Sequence, residues 1–253
     1  MNLPLQFYRL CSVFFDSSSI KQLISLKHLS LSSFMLNRDL SKITKNIKTI
    51  FDIGANQGQF AIAAKYRFPD STIYSFEPVP ETYETLSRNV SAIKGIHTFN
   101  FGLGSKNQEI IFYKNAHSHA SSALPISDFQ KTEIPETAIT EEIKVPVRVL
   151  DSVVKDLKSL DTPILIKLDV QGYEKEVLKG AISFIDQVEY LLFETSFEQM
   201  YEGEPLFDEM HSYVCKLGFS LIGPIGLQYT DSGRIVQMDV LYRVYFSFVK
   251  QPF

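Results

Sequence analysis

The feature that most constrains the fold is the segment of residues 50–58, which reads IFDIGANQG. An apolar run contains Asp52 and leads into a turn with Gly54 and Gly58, and a run typical of a helix follows at once. A strand, a glycine turn and a helix in this order aim backbone N–H groups and the positive end of the helix dipole at a ligand above the strand. We therefore expect a ligand to bind at the first strand of an α/β sheet.

A second acidic residue, Glu77, ends the next apolar run, in the segment YSFEP of residues 74–78. In nucleotide-binding α/β folds, an acid about 20 residues beyond the glycine turn binds the ribose hydroxyls. The separation between Asp52 and Glu77 is close to that spacing. The ligand is therefore predicted to carry a nucleoside.

The glycine turn indicates which nucleoside this is. Dinucleotide sites use the pattern G-x-G-x-x-G, which lets the backbone approach a pyrophosphate. Here Gly54 and Gly58 are separated by three residues that include Asn56, so the middle glycine is missing. A turn of this kind, opened by Asp52, suits the zwitterionic tail of S-adenosylmethionine better than a diphosphate. An NAD-dependent oxidoreductase is the alternative, and the missing glycine disfavours it.

The predicted cofactor site draws on several strand ends. Gly54, Asn56 and Gly58 are assigned to the methionine tail of the cofactor. Glu77 is assigned to the ribose, and the turn of residues 102–105 to the adenine. The complete set of predicted cofactor-binding residues is Asp52, Gly54, Asn56, Gly58, Glu77, Pro78, Leu103 and Asp169.

Short apolar runs alternate with helical periodicity along most of the chain, which predicts a parallel sheet with helices between its strands. The predicted strands of this sheet are residues 47–53, 72–76, 96–101, 164–170 and 188–194. Two further strands, at 219–229 and 235–248, are predicted to form a hairpin. The expected fold is an α/β, Rossmann-like, doubly wound and mostly parallel seven-stranded sheet with a C-terminal antiparallel hairpin. This arrangement is typical of class I methyltransferases.

The alternation is interrupted in the middle of the chain. Strand patterns at residues 109–113 and 143–149 enclose a polar stretch, residues 115–142. Loops of this length in compact domains are usually functional or disordered. We interpret residues 115–142 as a flap beside the site that binds the acceptor of the methyl group.

The first part of the chain differs from the rest. Residues 1–46 show imperfect helical periodicity and are predicted to form an N-terminal arm or lid, ahead of a methyltransferase domain at residues 47–253. The aromatic residues of this arm leave open a weak association with a membrane surface through an interfacial helix. Those residues are Phe7, Tyr8, Phe14 and Phe15.

The composition narrows the class of protein and its partners. The 253 residues are 45% hydrophobic and 21% charged, as in ordinary globular proteins, and no apolar run reaches the roughly 18 residues that a membrane span needs. A net charge of −4 disfavours a nucleic-acid partner, because phosphate contacts need clustered Lys and Arg. Two isolated cysteines and the absence of a secretory signal pattern favour a cytoplasmic location. We therefore expect a small-molecule or glycan acceptor.

A third informative segment is IKLDVQGYE, residues 166–174. Ligands of open α/β sheets bind beyond the carboxyl ends of the strands, so Asp169 is expected on the same edge as Asp52. The alternative is that Asp169 and Glu174 only cap the following helix. The presence of Asp52 and Glu77 on that edge favours a functional role for Asp169.

At these residues the chain resembles the FkbM family of S-adenosylmethionine-dependent methyltransferases. The matching segments are FDIGANQG at 51–58, FEP at 76–78, IKLDVQGYE at 166–174, VLKGA at 177–181 and QMDVLY at 237–242. The resemblance covers about residues 47–245 and implies O-methylation, commonly of a sugar hydroxyl or a related natural product. Many members carry Glu where this chain has Gln171. That difference supports the other alternative, a non-catalytic S-adenosylmethionine-binding protein.

Methyl transfer from a sulfonium to a hydroxyl requires alignment of the reactants, exclusion of water and a proton acceptor. Asp169 is expected to face the transferred methyl group or the acceptor hydroxyl. The candidate bases are His119 and His117 in the flap, since histidine titrates near neutral pH, and Glu194 at the end of a strand. No metal is predicted, although Asp169, Glu194 and Asp239 leave a hard-cation site open as an alternative.

Overall fold

A computed structural model describes residues 30–158, 160–230 and 232–245. The aromatic residues for which a membrane contact is predicted, and the end of the predicted last strand beyond residue 245, lie outside this range. None of the described helices is long and apolar enough to cross a membrane.

The described residues contain ten strands. Their bounds are β1 (Thr49–Ile53), β2 (Thr72–Phe76), β3 (Ile96–Phe99), β4 (Gly102–Leu103), β5 (Gln108–Asn115), β6 (Thr140–Arg148), β7 (Ile164–Leu168), β8 (Tyr190–Ser196), β9 (Phe219–Tyr229) and β10 (Ile235–Val244). Seven of them form one sheet in the order β3-β2-β1-β7-β8-β10-β9. The first five strands in that order are parallel, and β10 runs antiparallel to both β8 and β9. The predicted mostly parallel sheet with a C-terminal hairpin is confirmed.

Seven α-helices connect or flank these strands within the described residues. Their bounds are α1 (Leu31–Ile43), α2 (Gln59–Arg67), α3 (Pro80–Val90), α4 (Asp128–Glu133), α5 (Leu150–Val153), α6 (Glu174–Lys179) and α7 (Phe207–Lys216). Pro80 occupies the first turn of α3, where its missing N–H costs nothing. Helix α6 ends at Lys179, before Gly180.

The core explains why β1 and β7 are apolar at almost every position. Both strands are fully buried, since helices cover the two faces of a parallel sheet. One face, which includes Phe51 and Ile166, packs against α6 and α7. The other face, which includes Ile50 and Leu165, packs against α1 and α2. The described part of the predicted N-terminal arm therefore contributes to the core.

Residues 115–142 form a folded segment with short helical elements. The backbone of this segment is held by Asn115, whose side-chain amide donates to the carbonyl oxygens of Thr137 and Ile139 at 2.6 and 3.2 Å. Ile126 packs with Met200 and other residues in a small core of its own. The polar composition of the segment reflects these internal hydrogen bonds, which no hydrophobic periodicity reveals.

A second, three-stranded sheet lies in the order β4-β6-β5. The pattern of the third predicted strand ran to residue 101, but β3 ends at Phe99 and the chain then joins this second sheet at Gly102. The alternating residues of β5 and β6 give the hairpin an apolar face. This face is placed over the carboxyl edge of the main sheet, where the cavity described below opens.

Candidate active site

A cavity with about 690 Å³ of empty space, part of it open to solvent, lies at the carboxyl ends of β1, β2 and β7. These strands are neighbours in the sheet, and the edge beyond them is the expected ligand position in a doubly wound fold. The predicted cofactor-binding residues that line the cavity are Gly54, Asn56, Glu77, Pro78, Leu103 and Asp169. Asp52 and Gly58, which were predicted with them, are not among the lining residues.

The glycine turn brings the backbone of β1 against the loop after β7. Gly54 has a φ of +79°, and a Cβ atom there would lie 1.9 Å from the carbonyl oxygen of Asp169. Gly58 has a φ of +91° and caps α2, where a Cβ atom would lie 2.9 Å from Leu86. Only glycine fits the contact at Gly54. Gly58 acts in the packing of α2 against α3.

The backbone N–H groups at the start of the turn are used within the protein. Those of Gly54 and Ala55 donate to the carbonyl oxygen of Phe76 at 3.0 and 2.9 Å. That of Asn56 donates to a carboxylate oxygen of Glu77 at 2.9 Å. The expectation that these three groups point freely at a ligand is therefore wrong. The carbonyl oxygen of Gly54 accepts from Lys167 Nζ at 3.3 Å, and Asn56 lines the cavity.

Glu77 ties the end of β2 to the glycine turn. Its Oε2 accepts from the backbone N–H of Asn56, and its Oε1 accepts from that of Val79 at 3.0 Å. Burial raises the pKa of this carboxyl group to about 7, although the two backbone hydrogen bonds oppose the shift. Each oxygen keeps a lone pair for a further donor, as a ribose hydroxyl would supply.

Asp52 lies beneath the cavity and contacts Lys167, its register partner on β7. Lys167 Nζ is 3.1 Å from Asp52 Oδ1 and 3.4 Å from Asp169 Oδ2. Burial alone would lower the pKa of Lys167, but the two carboxylates outweigh it and raise the pKa. Burial raises the pKa of Asp52, and Lys167 opposes that shift. One ammonium group thus serves two carboxylates.

Gln171 joins the cavity to a buried polar cluster. Its Nε2 donates to Asp169 Oδ1 at 2.8 Å and to Glu194 Oε2 at 2.9 Å. Its Oε1 accepts from the hydroxyl of Tyr201 at 2.7 Å, and its carbonyl oxygen accepts from Ser122 at 2.6 Å. The φ of Gln171 is +55°, which is rare for a residue with a side chain. These four contacts stabilise that conformation.

Glu194 is buried behind Gln171 and is not among the lining residues of the cavity. Gln237 Nε2 donates to it at 3.0 Å, and Gln228 also donates to it. Burial, followed by the charges of Asp169 and Asp239, raises its pKa well above the usual range. Burial likewise raises the pKa of Asp239 to about 6. Among the described residues, no group of three or more His, Cys, Asp or Glu side chains is arranged to hold a metal ion.

The flap contacts the glycine turn through Asn56. Ser118 Oγ donates to Asn56 Oδ1 at 3.0 Å, and Asn56 Nδ2 lies 3.2 Å from His119 Nδ1. His119 is exposed and lines the cavity, whereas His117 is exposed outside the lining. Of the three predicted candidates for the base, His117, His119 and Glu194, His119 alone lines the cavity. Asp169, which is predicted to face the transferred methyl group or the acceptor hydroxyl, lines the cavity as well.

One wall of the cavity is apolar. Phe76 and Leu103 rise from the main sheet and from β4, and the apolar face of the β5–β6 hairpin lies opposite them. The hairpin residues are Ile110, Phe112, Val145 and Val147. Alternation in the sequence predicts these strands but not the surface that they face, so this wall was not predicted. A planar, weakly polar ring such as adenine fits such a wall.

A family model described as the methyltransferase FkbM domain matches residues 52–221, which is more than half of the 253 residues. The chain belongs to the FkbM methyltransferase family. The matched range includes the glycine turn, Glu77, the flap and Gln171. The resemblance inferred from the short segments is confirmed.

Curated relatives of this FkbM-family chain carry methyltransferase names. Methyltransferase 1 from Beauveria bassiana is 29% identical over 142 residues, covering 52% of this chain and 57% of that protein. 2-O-methyltransferase NoeI from Sinorhizobium fredii is 26% identical over 184 residues, covering 68% and 74%. Hexuronic acid methyltransferase AglP from Haloferax volcanii is 24% identical over 148 residues, covering 57% and 54%. The matched part therefore spans between about half and three quarters of these relatives.

A solved structure supports the fold of this FkbM-family member. It is a Klebsiella pneumoniae protein that has been inferred to be an O-methyltransferase. The TM-score is 0.51 at 12% sequence identity, and the match covers 86% of this chain and 82% of that chain. At this identity the similarity concerns the fold alone.

Replacing Gln171 with Glu, the residue common in the FkbM family, is expected to destabilise this member by about 1–3 kcal/mol at pH 8. The new carboxyl would face Asp169 and Glu194, which would raise its folded-state pKa above the unfolded value. The loss should therefore be small at pH 4 and should grow as the pH rises. Urea unfolding at both pH values measures it.

The matched control for this substitution is Gln108→Glu, since Gln108 is exposed at the start of β5. It adds the same charge without a facing carboxylate, so its stability should follow that of the wild type at both pH values. An equal response of the two variants would contradict the role given to the Gln171 amide.

Proposed function

We propose that the protein is an S-adenosylmethionine-dependent methyltransferase that methylates a hydroxyl oxygen of a sugar, a glycan or a related natural product. The observation that carries the proposal is the meeting of Gly54 and Glu77 at one cavity with an apolar wall. Family membership supports methyl transfer, and the names of two relatives, a 2-O-methyltransferase and a hexuronic acid methyltransferase, support a hydroxyl acceptor on a sugar.

The residues present fit this cofactor. Glu77 keeps lone pairs for ribose hydroxyls, and Gly54 lines the same cavity. The carboxylate of Asp169 suits the positively charged sulfur of the cofactor, while the apolar wall suits adenine. Asp52 contributes indirectly, by holding Lys167 in place below Asp169.

The bound cofactor would supply a methyl group activated by a positively charged sulfur. His119 is the proton acceptor that we propose first, because it lines the cavity and only its Nδ1 has a hydrogen-bond contact among the described residues. Its Nε2 is then available for the proton of the acceptor hydroxyl. Asp169, held by Gln171 and Lys167, is the second candidate. Glu194 does not line the cavity and is connected to it by its hydrogen bond with Gln171.

Calorimetric titration with the two cofactors and an assay for S-adenosylhomocysteine formation test this function, and two outcomes would exclude it. Binding of NADH without binding of S-adenosylmethionine would favour an oxidoreductase. Tight binding of S-adenosylmethionine, with no S-adenosylhomocysteine formed from any member of a panel of sugars, glycans and hydroxylated natural products, would favour a non-catalytic binding protein. Formation of S-adenosylhomocysteine that depends on one of these acceptors is the result that we expect.

Replacing Glu77 with Ala is expected to weaken S-adenosylmethionine binding by about 10–100-fold. The substitution removes the acceptor for the ribose and also leaves the N–H groups of Asn56 and Val79 without their partner, each hydrogen bond to a charged group being worth roughly 1.5–3 kcal/mol. Calorimetry measures the affinity. The control is Glu81→Ala, which removes a carboxylate from the exposed side of α3. If both variants bind like the wild type, the ribose assignment is wrong.

A further inference from the structure

The charges that face the cavity are of one sign. Glu77 and Asp169 supply two carboxyl groups, and the side chain of Asp169 is 42% exposed. Among the described residues that line the cavity, none is Lys or Arg. The cavity therefore offers negative charge without a facing cation.

The nearest ammonium group does not balance these carboxyl groups. Lys167 is buried behind the cavity and shared between Asp52 and Asp169. On the other side of Asp169, the amide of Gln171 is neutral and leads to Glu194, which has Asp239 as its register partner on β10. Burial raises the pKa of both of these acids, and the charge of Asp169 adds to the shift.

Three backbone N–H groups at the turn are not available as compensating donors. The N–H groups of Gly54, Ala55 and Asn56 are satisfied by Phe76 and Glu77. A ligand above the turn therefore meets the carboxyl groups of Glu77 and Asp169. Such a surface attracts positive charge.

We propose that Asp169 makes this cavity selective for a positive charge at the reacting end of the cofactor, so that the protein binds S-adenosylmethionine more tightly than S-adenosylhomocysteine. The inference rests on the proposed function and deepens it. The two molecules differ by one methyl group and one positive charge on sulfur. A carboxylate a few ångströms from that charge in a partly solvated cavity is expected to give a preference of about tenfold or more. The demethylated product would then leave readily.

The test is calorimetric titration of the 253-residue chain with S-adenosylmethionine, S-adenosylhomocysteine and sinefungin. Sinefungin is an analogue that carries an ammonium group near the position of the sulfonium. The wild type should bind both cationic ligands about tenfold or more tighter than S-adenosylhomocysteine. In Asp169→Asn the three affinities should converge. A purely structural loss would weaken all three ligands alike and leave their ratios unchanged.

The control is Glu209→Gln, because Glu209 is on the exposed part of α7, paired with Lys175, and its replacement changes the net charge by the same amount. This variant should keep the wild-type ratios. Wild-type binding of S-adenosylhomocysteine as tight as or tighter than S-adenosylmethionine would overturn the inference alone, as would an unchanged ratio in Asp169→Asn. Binding of none of the three ligands would overturn the proposed function as well.

Discussion

Replacing Lys167 with Met is expected to lower the free energy of unfolding by about 3–5 kcal/mol at pH 7. The substitution leaves the carboxylate of Asp52, which is fully buried, without its ammonium partner at 3.1 Å. A folded protein with an unpaired buried charge is far less stable than one with the intact ion pair or with two apolar residues in its place. Urea unfolding followed by circular dichroism measures the loss.

The protonation of Asp52 determines how the stability of the Lys167→Met variant changes with pH. Its folded-state pKa is raised by burial, and the loss of Lys167 would raise it further, above the value in the unfolded chain. The Lys167→Met variant should therefore lose little stability near pH 4, where Asp52 takes up a proton, and more as the pH rises toward 7.

The double variant Asp52→Asn, Lys167→Met is the control for this interpretation. It removes both charges, so it should recover most of the stability that the single variant loses. If the single variant were as stable as the wild type, or if the two substitutions simply added, the ion pair would not be the cause.

This ion pair shows what sequence patterns can and cannot predict. Asp52 and Lys167 each stand one residue before the end of an apolar strand, and the two strands lie side by side. Pairing them in register would have predicted the contact. Without that step, Asp52 was read as a direct ligand of the cofactor. That assignment stays a prediction, and the structure gives Asp52 a buried position beneath the cavity.

The strands of the parallel sheet were predictable because burial on both faces requires nearly continuous apolar runs. The predicted bounds of β2, residues 72–76, agree with the structure. The segment of residues 115–142 was not predictable in detail, since polar contacts such as that of Asn115 with Thr137 carry no periodicity. Gln171 was recognised only as a departure from the family pattern. Its four hydrogen bonds join residues up to 49 positions apart, which no local pattern encodes.

Replacing Gly54 with Ala is expected to reduce S-adenosylmethionine binding by about 100-fold or more and to destabilise the protein by about 2–5 kcal/mol. A Cβ atom at this position would lie 1.9 Å from the carbonyl oxygen of Asp169, and the φ of +79° disfavours any side chain. Relief of the clash requires separation of β1 from the loop after β7. That movement would displace Asp169 from the cavity.

Gly203→Ala separates the clash from the backbone strain. Gly203 has a φ of +77°, almost that of Gly54, but nothing lies within 4 Å of a Cβ atom there. This variant should lose only about 1 kcal/mol, from the left-handed conformation, and should bind the cofactor like the wild type. Thermal unfolding and calorimetry compare the two variants. Equal effects would mean that strain alone acts at Gly54, whereas a larger loss confined to Gly54→Ala assigns the effect to the contact between the glycine turn and Asp169.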